Sequence, residues 1–270
     1  MTSMHPENRA RQVLVMAVEQ YIRTKRPVAS AALAERADVD VSPATIRNIF
    51  TELEEAGYLT HPHTSAGRVP TDRAYRLYVD EILRQRRMDL GALARLRGVF
   101  HARGARLDDV MVETCRLLST RSHYTGFVTT PRPEEPLYQR RVYLDGTEHM
   151  LEEPESLDLE TIRAWLRLVE QPQRLGDPLA ERLLRTSGDA SDRGRGGTHD
   201  GQEITVLIGH ENPVRAMREF SVVGTAYRLG GGARGVLGVI GPRPMRYSHV
   251  IALVGGIREV LSRALGVRGV

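Results

Sequence analysis

Residues 41–80 read VSPATIRNIFTELEEAGYLTHPHTSAGRVPTDRAYRLYVD, and this stretch decides the fold. Ser42 is an N-cap type, and Pro43 fits the first helical position, where its missing N–H costs nothing. Ile46, Ile49, Phe50 and Leu53 repeat at i, i+3, i+4 and i+7, the stripe of a half-buried helix. Gly57 fits the C′ position that ends such a helix. Tyr58–Thr60 is then a short strand, His63–Gly67 a turn and Arg68–Pro70 the return strand. Thr71 is a candidate cap for a following helix with Tyr75, Tyr78, Val79 and Ile82 on one face. A helix followed by a tight hairpin wing is a pattern suited to reading duplex DNA.

The residue types opposite the stripe support that expectation. With Ile46 at its centre, Ala44, Asn48 and Thr51 point away at about 100° per residue, flanked by Thr45 and Arg47. Arginine suits guanine, asparagine suits adenine, and alanine or threonine suits the thymine methyl. The helix start, with Ser42 and Pro43, can also approach a phosphate. Glu52, Glu54 and Glu55 come later and would be repelled by phosphate. The N-terminal half is therefore expected in the groove and the C-terminal half outside it. On the wing, His63, Thr64, Ser65 and Arg68 are candidate backbone contacts, with Arg68 reaching a phosphate or the minor groove. The same helix pattern also occurs in protein-binding domains. No cysteine or carboxylate stands beside His61 and His63 in the sequence, so a metal site is not expected there.

Upstream, residues 9–24 are expected as a helix burying Leu14, Ala17, Val18 and Tyr21. Pro27 breaks it. Ser30 caps a short helix over Ala31–Ala37, which buries Leu33, and Asp38–Val41 is the turn. Downstream, RQRR at 84–87 is either a solvated junction or a second DNA contact. Residues 90–118 are one or two amphipathic helices, interrupted near Gly104. Leu93, Leu96, Phe100, Leu107, Met111 and Leu118 are candidates for a buried face that serves a core or a dimer interface. Strand texture appears at Tyr124–Thr130 and Arg141–Leu144, and Leu157–Val169 is helical with Ile162, Trp165, Leu166 and Val169 on one side. Residues 186–203, TSGDASDRGRGGTHDGQE, have the composition of a flexible loop. Strands resume at Ile204–Ile208, Glu219–Val223 and Arg234–Ile240. The last helix starts after Ser248 and buries Val250, Leu253, Val254, Ile257 and Leu261. The second half is therefore α+β with an antiparallel sheet. No internal repeat is visible.

Composition narrows the class. The chain has 270 residues, 41% of them hydrophobic and 27% charged, as expected for a soluble protein of about two domains. No apolar run approaches the roughly 20 residues that span a bilayer, and the N-terminus lacks the apolar core of an export signal, so a cytoplasmic location is expected. Cys115 is the single cysteine, which excludes an internal disulfide, and it fits a small buried residue. The formal charge is +4 with a single lysine, Lys25, so the positive charge is nearly all arginine. That bias suits phosphate and guanine contacts, although a GC-rich genome also produces it. The runs HTSAG and RTSGD lack the glycine pattern of a nucleophile elbow. The run LGGGARG at 229–235 lacks the Lys-Ser/Thr of a phosphate loop and reads as a turn between strands. Neither catalysis nor a cofactor is expected.

The runs SPATIRN, PHTSAGRVPT and YRLYVD, in that order, closely resemble the N-terminal winged helix of the bacterial heat-inducible transcription repressor HrcA. YLDGTEHMLEEPE, VLIGHEN and GVLGVIGPRPMRYSHVIALV resemble the C-terminal part of the same family. The resemblance implies a winged helix-turn-helix followed by a GAF-like α+β domain that carries an inserted dimerisation region. It implies a homodimer on an inverted-repeat operator, known as CIRCE, ahead of chaperone operons. It also implies repression relieved by heat, and dependence on the chaperonin GroEL. On this pattern, residues 1–83 are the DNA-binding domain and 84–140 hold the linker or dimerisation helices and the first part of the GAF-like domain. Residues 141–203 are a reduced insert ending in a flexible loop, and 204–270 complete the GAF-like domain. Relatives usually carry a much longer middle between the positions of Pro131 and Arg141. Some strands and much of the insert are thus expected to be missing or rebuilt, with the helices at 90–118 bearing more of the dimer interface. Ile49 and Phe50 stand where the family tends to have a polar or methionine-containing pair, and both fit the buried stripe. The alternative reading is a winged-helix repressor that senses a small ligand through its GAF-like domain.

Overall fold

The structure is a computed structural model that describes residues 6–35, 41–62, 67–85, 106–131, 140–152, 158–186 and 204–266. It divides into two compact units, residues 1–86 with 243–246, and residues 87–242 with 247–270.

The first unit holds α1 (Pro6–Thr24), α2 (Ser30–Ala34), α3 (Pro43–Glu55), a hairpin of β1 (Leu59–Thr60) and β2 (Val69–Pro70), and α4 (Asp72–Gln85). Its core is formed by Val13, Leu14, Ala17 and Val18 of α1, Leu33 of α2, the Ile46, Ile49, Phe50 and Leu53 stripe of α3, and Tyr75, Tyr78 and Val79 of α4. Burying each of the valine, leucine, isoleucine and phenylalanine side chains stabilises by about 1.5–3 kcal/mol. The α3 stripe is the one expected from its spacing, whereas Ile82 of α4 and Tyr21 of α1 are only half-buried. Helix α2 begins at Ser30 itself, with Ala29 at the N-cap and no side-chain cap, so Ser30 is the first helical residue rather than the cap. Thr71 donates its hydroxyl to the Gly57 and Tyr58 carbonyls, at 2.8 and 3.1 Å, pinning α4 to the end of α3. The tetrapeptide at 243–246 belongs with this unit: Arg243 pairs with Asp72 at 3.1 Å, and Lys25 donates to the Pro244 carbonyl.

The second unit is built on a five-stranded antiparallel sheet in the order β4-β3-β7-β6-β5. Its strands are β3 (Thr125–Pro131), β4 (Arg140–Asp145), β5 (Thr205–Ile208), β6 (Phe220–Arg228) and β7 (Arg234–Pro242). β6 runs five residues past the expected end at Val223, because Thr225, Ala226 and Tyr227 stay buried and paired with β7. Gly230–Gly232 form the turn between β6 and β7.

Helices α5 (Leu107–Ser122) and α8 (Tyr247–Gly266) pack on one face, and α6 (Leu159–Glu170) and α7 (Pro172–Thr186) on the other. Gly126 permits the close approach of α5, since a Cβ there would lie 2.4 Å from the Cys115 carbonyl oxygen. Cys115 is buried in that contact. Its thiol donates to the Gly126 and Tyr143 carbonyls, and burial pushes its pKa up. On the opposite face, Trp165, Leu168, Leu175, Leu179 and Leu183 pack with Phe127, Phe220, Val222, Val236 and Ile240.

Several buried faces differ from those expected. In α5, Met111 and Leu118 are buried, but Leu107, at the first helical position, is 43% exposed. In α6 the buried stripe is Thr161, Trp165 and Leu168; Leu166 is 46% exposed, and Ile162 and Val169 are half-buried. Leu253 of α8 is half-buried. Helix α7 was not anticipated. The edge strand β4 and helices α6 and α7 fall in the stretch expected as a reduced insert, yet they belong to the layers of this one sheet. Leu93, Leu96, Phe100, the break near Gly104 and the loop over 187–203 lie outside the described residues.

Candidate nucleic-acid interface

Helix α3 is defined at both ends by its own sequence. The Ser42 hydroxyl accepts from the Thr45 N–H at 3.2 Å, and Pro43 opens the helix. At the far end Gly57 adopts φ +74°; Tyr58 N–H donates to Leu53 O at 2.8 Å and Gly57 N–H to Glu54 O at 2.9 Å. These two bonds close a glycine-dependent helix end. Arg73 of α4 adds a further cap. Its guanidinium donates to the Ala56 carbonyl at 2.6 Å and lies 4.4 Å over the Tyr58 ring.

With its ends fixed, α3 turns Ser42, Pro43, Ala44, Arg47, Asn48 and Thr51 into solvent, and Thr45 is half-exposed. Their chemistry differs. The Thr51 hydroxyl donates to the Arg47 carbonyl at 3.1 Å, and the Thr45 hydroxyl is 2.9 Å from that of Ser42. The Thr51 hydroxyl proton is therefore committed to the backbone, and its methyl group is what it mainly offers. Arg47 and Asn48 make no side-chain hydrogen bond among the described residues. Their guanidinium and amide donors are available for base edges.

The wing is anchored more tightly than its sequence suggested. β1 and β2 pair Leu59 with Pro70 and Thr60 with Val69. Arg68 extends the return strand by exchanging two backbone hydrogen bonds with Val28, at 2.8 and 2.9 Å. His63, Thr64 and Ser65, the expected contacts at the tip, lie outside the described residues. Arg68 is not free to reach out. Its side chain is 18% exposed, and Nη2 is 3.0 Å from Glu54 Oε2. His61 contacts the other oxygen of the same carboxylate through Nδ1. Arg68, expected to reach a phosphate or the minor groove, is held in an ion pair with Glu54 of α3. Glu54 is the residue that spacing missed. The signal available was one acid followed by a basic side chain at each root of the wing.

Residues 135–251 match the model described as HrcA protein C terminal domain. The chain is 30% identical to the heat-inducible transcription repressor HrcA of Thermomicrobium roseum, over 97% of this chain and 96% of that protein. The chain belongs to the HrcA family. It is also 29% identical to the HrcA repressor of Geobacter sulfurreducens, over 98% of this chain and 99% of that one. These alignments run over 335 and 357 residues against the 270 of this chain, so both relatives carry residues that this member lacks. A crystal structure titled as that of a hypothetical protein shares the fold, with a TM-score of 0.71 at 23% identity, covering 96% of this chain and 98% of that one. The architecture is a winged helix-turn-helix followed by a shortened GAF-like α+β domain, in a family of heat-inducible transcription repressors. No described helix is long and apolar enough to cross a membrane.

Proposed function

We propose that this HrcA-family chain acts in the cytoplasm as a homodimer that binds an inverted-repeat operator of the CIRCE type and blocks transcription of chaperone operons. The observation that carries this reading is the exposed face of α3, where Arg47 and Asn48 keep free donors on a helix capped at both ends. Such a helix can enter the major groove by its N-terminal half. Ser42, Pro43, Ala44, Thr45 and Thr51 then contribute phosphate and methyl contacts, and His63, Thr64 and Ser65 of the wing tip meet the backbone. Two-fold symmetry matches two such helices to half-sites related by the inverted repeat. Heat lowers the fraction of folded dimer. Unfolded chains then depend on GroEL, so a chaperonin engaged elsewhere leaves the operons derepressed.

A mobility-shift assay at fixed salt tests this, comparing the inverted repeat with a scrambled duplex in the presence and absence of chaperonin. The expected result is preferential binding of the repeat, with a larger active fraction when chaperonin is present. Equal affinity for both duplexes would overturn the operator reading, and indifference to chaperonin would remove that partner.

A further inference from the structure

Three glutamates end the recognition helix, and one of them differs from the others. Glu52 and Glu55 are exposed. Glu54 is partly buried and holds both roots of the wing with a single carboxylate. One oxygen receives Arg68 Nη2 at 3.0 Å, and the other contacts His61 Nδ1. His61 directly follows β1 and Arg68 directly precedes β2. The root offers little slack. A Cβ on Gly67 would lie 2.5 Å from the Val28 carbonyl carbon, and Arg68 is bonded through its backbone to the same Val28. Arg68 Nε is buried with no hydrogen-bond partner among the described residues, so Glu54 provides the guanidinium with its ionic anchor.

We infer that Glu54 is a positioning residue that fixes the wing against the recognition helix, so that both meet one duplex in a set geometry. This rests on the proposed function, because it assumes that α3 and the wing face DNA. Physically, the carboxylate does two things. It links two chain segments whose own hairpin has only two residue pairs, too few to hold a direction alone. It also uses up the charge of Arg68, which leaves the reach to phosphate to the tip.

The sign of one substitution separates this from simple electrostatics. Removing a negative charge near a polyanion tightens binding. Loss of a clamp weakens it. The experiment compares the full chain with its Glu54→Gln and Glu55→Gln variants in two measurements. The first is amide hydrogen exchange of the free protein, and the second is operator affinity at fixed salt. Glu54→Gln is expected to speed exchange across residues 59–70 while 46–53 stay protected, and to raise the dissociation constant about two- to fivefold, the scale of partly exposed ion pairs. Glu55→Gln is expected to leave exchange unchanged and affinity equal or tighter. Unchanged exchange at the wing root in Glu54→Gln, or tighter binding by that variant, would overturn the inference while leaving the operator reading intact. If the unsubstituted chain binds no duplex, the functional reading fails, and the DNA role of Glu54 fails with it. The exchange data, taken without DNA, still report whether the clamp exists.

Discussion

Helices α3 and α6 are built alike at the start and differently along the sides. They have 13 and 12 residues, and each is capped by a side chain that accepts from the N–H of a threonine at the third helical position. Ser42 does this for Thr45 at 3.2 Å, and Asp158 for Thr161 at 2.6 Å. α3 buries all four of its large apolar residues and shows only small or polar ones. α6 buries Thr161, Trp165 and Leu168 while leaving Leu159 71% and Leu166 46% exposed. A partner that is polar and hydrated suits the first face. Single exposed leucines, as on the second, are ordinary on protein surfaces and identify no partner. The functional signal of a helix therefore lies in the uniformity of its exposed face.

The sharpest way to break this comparison lies in α6. Trp165 is fully buried, donates from Nε1 to the Thr147 carbonyl at 3.1 Å and packs on Phe220 with ring centroids 5.4 Å apart. Trp165→Ala is expected to cost about 3–5 kcal/mol in the second unit. Leu166→Ala is expected to stay within about 0.5 kcal/mol, as a surface change does. Denaturant unfolding followed by circular dichroism reads both variants, since the first removes the chain's single tryptophan. Comparable losses would mean that the helix is rotated toward Leu166.

The corresponding substitution in α3 should do the reverse. Arg47→Ala removes an exposed side chain, so the midpoint of unfolding should barely move. On the operator it is expected to cost about 1–3 kcal/mol and to relax discrimination at one base pair. Equal losses on operator and random duplex would instead make Arg47 a phosphate contact. Asn48→Ala should relax discrimination at a different position, and an identical specificity change in both variants would argue against separate base contacts.

The contrast also explains what could be read from sequence. In α3 a cap and proline fix the start, a glycine fixes the end, and every residue off the stripe is polar or small, leaving one possible phase. α6 spreads Leu159, Ile162, Trp165, Leu166, Leu168 and Val169 over about half of its circumference at about 100° per residue, with Leu166 and Leu168 toward opposite edges, so periodicity alone could not fix which edge is buried. Helix α7 was obscured by Gly176 and Pro178, although Leu175, Leu179 and Leu183 recur every four residues. Gly176 is now accounted for, because a Cβ there would lie 2.2 Å from a Val142 methyl. At the site, the exposed face of α3 was legible because it depends on local periodicity. The pairing of Arg68 with Glu54 was not, because it depends on how the wing folds back over residues 14 apart in sequence.

The caps allow a smaller test. Ser42→Ala is expected to lower the stability of the first unit by about 1 kcal/mol, and the effect should not vary with pH because a hydroxyl does not titrate in the working range. Asp158 behaves differently. The Thr161 backbone N–H and then its hydroxyl hold the carboxyl below the usual carboxylate range. A folded pKa depressed in this way makes the cap's contribution fully present above the unfolded value of about 4, and the contribution is lost as pH falls through the folded value. The start of α6 should therefore loosen in acid while the start of α3 does not. Amide shifts followed by NMR between neutral and acid pH check this: Thr161 should titrate and Thr45 should not. Asp158→Asn should abolish the Thr161 titration while keeping a side-chain acceptor in place. A Thr161 shift that persists in Asp158→Asn would assign the acid sensitivity to another group, and the two helix starts would then differ in residue type but not in response to pH.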